Sequence, residues 1–418
     1  MKSFYRPEFF KKVADKTISY DWTLLATVIL LSMGGLAFIA SGLSVKGPAV
    51  FQLAFQKQLL LGVWIGGVLA FILAKIDYHV WFKHARTLLF LTFLLLGFVG
   101  IFALVVDVMT FQKPVSEAAQ IRKEVLDFVK ISPIRPYQGG GAIRWIRIPG
   151  LTFQPSELAK LTLLIFFAST IQKYDAEELT WMKLKRPIYA FILAGFLTLV
   201  QPDLGSVLLT FGILITVMWV SKVPFRIVFT IVLIMLLVGL SSVFAVDYRR
   251  ERITAFLSPS SAQASQIFYV RLAIQNGGMW GKGYGNSEFK QRGMLFESTT
   301  DGIISIIGEE MGFVFTSLFL SLYLVFLYRA LKIADEAEDP GGKALAVGIG
   351  VWIATQAFVN VAGITGLIPL KGLPLPFVSI GGSSILLNYI SVGILLNVSS
   401  RKSGRTNLKK SANTKRIA

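Results

Sequence analysis

Ten stretches of the 418-residue chain are almost wholly apolar: 22–42, 59–76, 86–108, 155–172, 188–203, 205–220, 226–246, 302–328, 344–366 and 378–398. They are rich in Leu, Ile, Val and Phe and lie close to the roughly 20 residues a helix needs to cross a bilayer core. None breaks into the short alternating segments of an outer-membrane barrel. The pattern predicts an all-α polytopic membrane protein of about ten transmembrane helices, one integral membrane domain over 1–418. The first stretch follows a basic segment, Lys2, Arg6, Lys11, Lys12 and Lys16. It is long for a signal-peptide core and no small-x-small site closes it, so it reads as an uncleaved first span. Two long segments, 107–154 and 247–301, and a basic tail, 399–418, complete the layout. No internal repeat marks an inverted-repeat transporter.

Charge adds orientation. Charged residues make up only 16% of the chain, against roughly 25% in soluble proteins. There is no Cys, which excludes a disulfide scaffold and a thiolate-bound metal. The 42 Lys and Arg outnumber the 24 Asp and Glu, for a net charge of +18. With the N-terminus in the cytoplasm, the short segments and tails on that side hold 24 of the 42 cations, while the short opposite loops hold only Lys46, Lys57 and Lys371. This positive-inside pattern predicts two cytoplasmic termini. The tail RKSGRTNLKKSANTKR reads as a topology signal and a contact for anionic membrane lipids. The two long outer segments carry another 14 cations that topology does not require. The surplus therefore points to an anionic partner at the membrane, with no nucleic acid implied.

Polar residues inside or at the mouths of spans carry the candidate chemistry, because lipid makes them costly. Glu157 and Lys160, three apart in QPSELAK, share a helix face. They are either a self-neutralising pair or a pair facing a polar cavity. Asp203 in QPDLGS is either a helix cap or part of a cavity wall. Asp301 opens the eighth stretch in ESTTDGIISIIGEEMG, with Glu297 before it and Glu309 and Glu310 about two turns deeper. The last loop, GLIPLKGLPLPFVSIGGSS, is rigid and non-helical and contains Lys371. Its Gly-Gly-Ser-Ser helix start suits either a tight connection or an anion. The Gly-rich GGMWGKGYGNS invites a phosphate-loop reading but lacks the required spacing. Before it, SQIFYVRLAI reads as an amphipathic interfacial helix.

Taken together and in order, GAIRWIRIPGLTFQPSELAKL (141–161), QPDLGSVLL (201–209), YRRERITAFLSP (248–259), GKGYGNSEFKQRGMLFESTTDGIISIIGEEMGF (281–313) and TGLIPLKGLPLPFVSIGGSS (365–384) resemble the SEDS family of bacterial cell-wall proteins, the FtsW/RodA group. The resemblance covers most of the chain after the first spans. The NS…K run and the KGL of the last loop lean toward the division-type FtsW branch. Thr299, Gly302 and Ile380 depart from residues common in the family, and 110–138 reads as an insertion.

The resemblance implies a peptidoglycan glycosyltransferase of the bacterial cytoplasmic (inner) membrane. Such an enzyme polymerises lipid II into β-1,4 glycan strands at the outer face and releases undecaprenyl diphosphate. It implies Asp301 as the catalytic base. Arg144, Arg249, Arg252, Lys290, Glu297, Lys371 and Ser379 are then expected at the substrate, with the cations meeting the diphosphate. Glu157, Lys160, Asp203, Glu309 and Glu310 are expected to support the cavity. A divalent cation, Mg or Mn, could bridge the diphosphate, although no metal ligand set is readable. Partners implied are a class B penicillin-binding protein (a transpeptidase) and divisome or elongation proteins. Two alternatives stand beside this reading: a lipid II flippase, which needs a polar path through the bilayer, and a non-catalytic scaffold of the division complex.

Overall fold

A computed structural model of the protein describes residues 20–110, 117, 120–121, 124–125, 132, 134–139, 142–174, 176–244, 262–295, 299–369 and 372–401. Each apolar stretch falls on a helix. These are α1 Trp22–Leu43, α2 Pro48–Lys75, α3 His79–Thr110, α4 Pro155–Ile171, α5 Trp181–Val200, α6 Leu204–Val220, α7 Phe225–Phe244, α10 Ile303–Glu336, α11 Pro340–Ile364 and α12 Gly382–Ser400. Six of them, α1, α2, α3, α10, α11 and α12, are long and apolar enough to cross a membrane. Between α7 and α10 lie α8, Ala262–Gly277, and the short α9, Glu288–Gln291. The helix expected within 265–274 is therefore present. It is not free in an interface: Val270 and Ala273 are buried, and Ile274 packs against Gly308 of α10.

Sequence sets the helix ends. Pro48, Pro155 and Pro340 each occupy a first helical turn, where the missing N–H is harmless. Asp21, Asp203 and Asp339 cap α1, α6 and α11 by accepting from backbone N–H groups.

The centre of the bundle is α4, α11 and α12, most of whose residues are buried. Helices α1, α3 and α7 instead expose apolar residues such as Ile29, Phe90, Ile101 and Phe229. Water would penalise so broad an apolar surface, and lipid does not. Small residues let backbones approach: a Cβ on Gly393 of α12 would stand 2.6 Å from the Ala70 carbonyl oxygen of α2.

The all-α expectation needs one correction. The described end of the 107–154 segment is a three-stranded antiparallel sheet: β1 Arg135–Gly139, β2 Ala142–Ile148 and β3 Leu151–Phe153, in the order β1-β2-β3. Ile143 and Ile146 of β2 pack on Val99, Ala103 and Val106 of α3. The sheet is thus seated on the end of α3, which fixes where Arg144 stands. Most of the 110–138 insertion and all of 402–418 lie outside the described residues.

The eighth stretch also differs from a single continuous span. Within α10, Gly312 has φ 74° and ψ −179°, a conformation essentially confined to glycine. The break frees backbone groups that a membrane does not tolerate unpaired. The Gly-rich run 277–285 pairs with them. Lys282 and Gly283 N–H donate to the Glu309 and Glu310 carbonyls at 3.0 and 2.9 Å. Phe313 and Val314 N–H donate to the Gly278 and Met279 carbonyls at 2.9 and 3.2 Å. A Cβ on Gly281 would lie 2.2 Å from the Glu310 carbonyl oxygen. The glycines are therefore there for backbone stitching rather than as a phosphate loop.

Candidate functional site

Asp301 sits in the turn Thr299–Gly302 just before α10, half-buried. Its main chain is held from two sides. Asn360 of α11 donates through Nδ2 to the Asp301 carbonyl at 2.9 Å and to the Leu373 carbonyl at 2.7 Å. Ser379 Oγ donates to the Thr300 carbonyl at 2.5 Å, and Ile380 N–H donates to the Thr299 carbonyl at 2.9 Å. The last loop thus grips the two residues that precede Asp301, while α11 holds the Asp301 carbonyl itself.

Arg144 approaches from β2. Its Nε donates to the Gln201 carbonyl at 3.2 Å and Nη2 to the Pro202 carbonyl at 2.7 Å. These are carbonyls at the C-terminus of α5, a favourable place for a cation. A Cβ placed on Gly372, where φ is +91°, would be 3.7 Å from Asp301 Oδ2 and 3.9 Å from Arg144 Nη1. One point above Gly372 is therefore within reach of both an acid and a cation.

Behind this point runs a connected polar network. Gln356, one helical turn before Asn360, donates through Nε2 to the Pro374 carbonyl at 2.9 Å. Its Oε1 accepts from Lys160 Nζ and Trp352 Nε1, both at 2.8 Å. Lys160 also pairs with Glu157 at 2.7 Å and lies 4.9 Å over the Trp352 ring. Glu157 Oε2 accepts from Ser384 Oγ at 3.1 Å. Asp203 caps α6 through the Ser206 N–H and accepts from Gln154 Nε2 at 3.0 Å and Ser156 Oγ at 3.3 Å. Gln154 N–H in turn donates to Ser383 Oγ at 2.9 Å. Glu157, Lys160 and Asp203 thus tie α4, α6, α11 and α12 to the Pro-rich loop carrying Gly372. Such a network is rigid because its strongest groups are buried and paired.

Several expected roles change. Lys290 is expected at the diphosphate, but its ammonium is buried against Glu310 at 2.7 Å, Ser41 Oγ at 2.8 Å and the Gly285 carbonyl at 3.2 Å. It is a partner for Glu310, with no face left for substrate. Ser379 is also expected at the substrate. Its hydroxyl donates to Thr300 and accepts from Leu375 N–H at 3.0 Å, which makes it a backbone clamp. Glu309 and Glu310 are expected at the cavity floor. Instead, Glu309 accepts from Asn276, Ser287 and the Glu288 N–H, and so caps α9. Together with the Lys290–Glu310 pair it holds the 276–291 segment. Arg249, Arg252, Glu297 and Lys371 lie outside the described residues. Asn360 and Gln356 escaped the sequence reading. Two amides four apart on one face of an apolar span were the available signal.

Among the described residues, no group of three or more His, Asp or Glu side chains could hold a metal ion. The described donors around Asp301 do not by themselves form a cage for a divalent cation.

Residues 124–404 match the model of the FtsW/RodA/SpoVE family, described as cell cycle proteins. The chain is 35% identical over 395 residues to the "Probable peptidoglycan glycosyltransferase FtsW" of Geobacter sp. (strain M18), covering 92% of this chain and 98% of that one. It is 32% identical to the stage V sporulation protein E of Bacillus subtilis (strain 168), covering 93% and 99%. Its fold is similar to a chain of a solved peptidoglycan synthase complex that coordinates polymerization and crosslinking, with TM-score 0.70 and 24% identity over 91% of this chain and 98% of that one. It is also similar to the rod shape determining protein RodA of Thermus thermophilus, with TM-score 0.62 and 23% identity over 92% and 97%. With the family model spanning well over half its length and relatives aligned nearly end to end, the chain is a helical multi-pass membrane protein that belongs to the FtsW/RodA/SpoVE family.

Proposed function

We propose that this protein is a peptidoglycan glycosyltransferase that polymerises lipid II at the outer face of the bacterial cytoplasmic membrane. The observation that carries the reading is the convergence of the Asp301 carboxylate and Arg144 Nη1 on one point above Gly372. The charge asymmetry of the loops supports ten spans and two cytoplasmic termini, with Asp301 outside. Curated relatives named FtsW support a role in division. The likeness to a synthase-complex chain supports a class B penicillin-binding protein as partner, with divisome proteins around it.

In the proposed reaction, Asp301 accepts the proton of the acceptor sugar's 4-hydroxyl as that oxygen attacks the donor's anomeric carbon. The new carbon–oxygen bond forms as the bond to the diphosphate breaks. The electron pair leaves with undecaprenyl diphosphate, and the configuration inverts to β-1,4. Arg144 has two of its three nitrogens committed to the Gln201 and Pro202 carbonyls just after α5. It therefore offers one N–H arm, Nη1, to the leaving oxygens rather than a bidentate fork. Lys371, Arg249 and Arg252 are proposed to supply the remaining positive charge. A divalent cation, Mg or Mn, would rest mainly on diphosphate oxygens and water, and no step here depends on it. An apolar groove of about 170 Å³ between α5, α6 and α7, beginning at Leu199 and Leu204 beside Pro202, is proposed for a polyprenyl chain.

The flippase alternative asks Glu157, Lys160 and Glu309 to line a polar path. All three are fully buried and hydrogen-bonded, which favours the enzyme. The scaffold alternative gives the Asp301–Arg144 convergence no task. The test is reconstitution with lipid II and the transpeptidase partner, comparing native protein with Asp301→Asn. Loss of the base should lower polymerisation by roughly 10²–10⁴-fold. Undiminished polymerisation in Asp301→Asn would overturn the base assignment. Folded native protein that makes no glycan would overturn the function.

A further inference from the structure

The end of the bundle opposite Asp301 is rich in basic residues, and several have acids of their own. Arg329 meets Asp21 at 2.5 Å, Arg401 meets Asp77 at 2.9 Å and Lys343 meets Asp335 at 3.5 Å. One cluster is different. A cavity of about 460 Å³ opens between the first turns of α3, the end of α4 and the start of α5. Lys83, Arg86, Lys173, Lys183 and Arg186 all line it, with Phe166 among its apolar walls. Lys183 is neutralised by Glu178 at 2.6 Å and lies 4.4 Å over the Tyr174 ring. Lys83, Arg86, Lys173 and Arg186 have no ion-pair partner among the described residues. The nearby acids Asp77 and Asp339 are engaged by His79, which also borders the cavity.

Four exposed cations without an ion-pair partner among the described residues, two from α3, one from α5 and Lys173 in the turn after α4, converge on one concavity, where a bound anion would relieve their mutual repulsion. Topology alone explains basic residues at this end, but not their convergence on a cavity. The surroundings suggest which anion. Trp181 and Tyr189 stack edge to face on the outer side of α5 and are exposed, as aromatic residues are at the level of lipid headgroups. The wall of the cavity is part apolar, contributed by Phe82, Phe166 and Pro187. A soluble anion has no use for such a wall, whereas a glycerol backbone and the first acyl carbons do.

We propose that this cavity binds the phosphate of an anionic membrane phospholipid, separately from the lipid II site at the other end of the bundle. Basic pockets between membrane helices on the cytoplasmic side suit such headgroups. The bound phosphate would join α3, α4 and α5 at the end where their cations otherwise push them apart.

The test uses the delipidated full-length protein in detergent, titrated with phosphatidylglycerol or phosphatidylcholine and read by native mass spectrometry. One phosphatidylglycerol is expected to bind in clear preference to phosphatidylcholine. The variant Lys83→Gln/Arg186→Gln should weaken that binding by roughly thirty-fold. Thr170→Trp, which leaves every charge in place and fills the cavity, should also abolish the preference. It answers the objection that the charge variant is misinserted. Equal binding of phosphatidylglycerol by native protein and both variants would overturn the site. Displacement of the lipid by millimolar inorganic phosphate would overturn the lipid assignment in favour of a free-phosphate site.

Discussion

Replacing Lys290 by Met separates a structural ammonium from one that handles substrate. Lys290 Nζ is 2.7 Å from Glu310 Oε1, and the two side chains are 1% and 0% exposed. Glu310 Oε2 already has no hydrogen-bond partner. Removing the cation leaves Glu310 with only Ser41 Oγ, at 2.5 Å. Breaking a buried pair from one side costs about 3–5 kcal/mol, so Lys290→Met should lower the midpoint of thermal unfolding sharply. Lys290→Met/Glu310→Leu removes both charges and fills the space with apolar atoms, which is often near neutral. The Gly285 carbonyl still loses its donor, at about 1–3 kcal/mol. The double variant should therefore recover much of the stability lost by the single one. The assay is thermal unfolding of purified protein alongside lipid II polymerisation. If Lys290 only holds the 276–291 segment, activity returns with stability. A double variant that is stable yet inactive would refute the reasoning and return Lys290 to the substrate. A Lys290→Met protein as stable as the native one would refute the energetics.

The break in α10 gives a second prediction. Gly281→Ala and Gly312→Ala each put a Cβ within 2.3 Å of backbone at a positive φ, whereas Gly67→Ala in α2 meets nothing within 4 Å. The first two should each lose more than about 2 kcal/mol and show it as loss of folded protein in detergent. Gly67→Ala should be neutral or slightly stabilising by the same measurement. Asn360→Leu leaves the Asp301 and Leu373 carbonyls without their donor, at about 1–3 kcal/mol each. Polymerisation should fall on the order of ten-fold or more while lipid II binding is kept. Unchanged turnover would mean that Asn360 does not position Asp301.

Legibility followed the range of each interaction. Glu157 and Lys160 share a face at i,i+3, so their pairing was open to a sequence reading, and the structure puts 2.7 Å between them. Asp203 before Leu204 offered a helix cap, and the cap is there. Both depend only on local helix geometry. Lys290, inside the short α9, and Glu310 are 20 residues apart, with the Asp301 turn between them. Nothing local distinguishes a cation destined for a buried acid from one destined for a diphosphate. The Gly-rich run offered only a phosphate-loop reading without the right spacing, and not a patch for a broken helix, because its partners lie about thirty residues on. The sheet was hidden by short strands and adjoining Gly and Pro.

The sequence by itself determined the apolar helices, the asymmetry of their basic flanks and the motifs that mark the family. Hydrophobic length and charge distribution are additive along the chain and need no knowledge of neighbours. Only the tertiary structure decided what the polar residues do. It set Arg144 on a sheet seated against α3, brought it with Asp301 to one point above Gly372, and committed Lys290, Ser379, Glu309 and Glu310 to holding the surrounding loops. In a low-dielectric bundle a polar group is defined by the partner it reaches. That partner is a matter of packing across the fold.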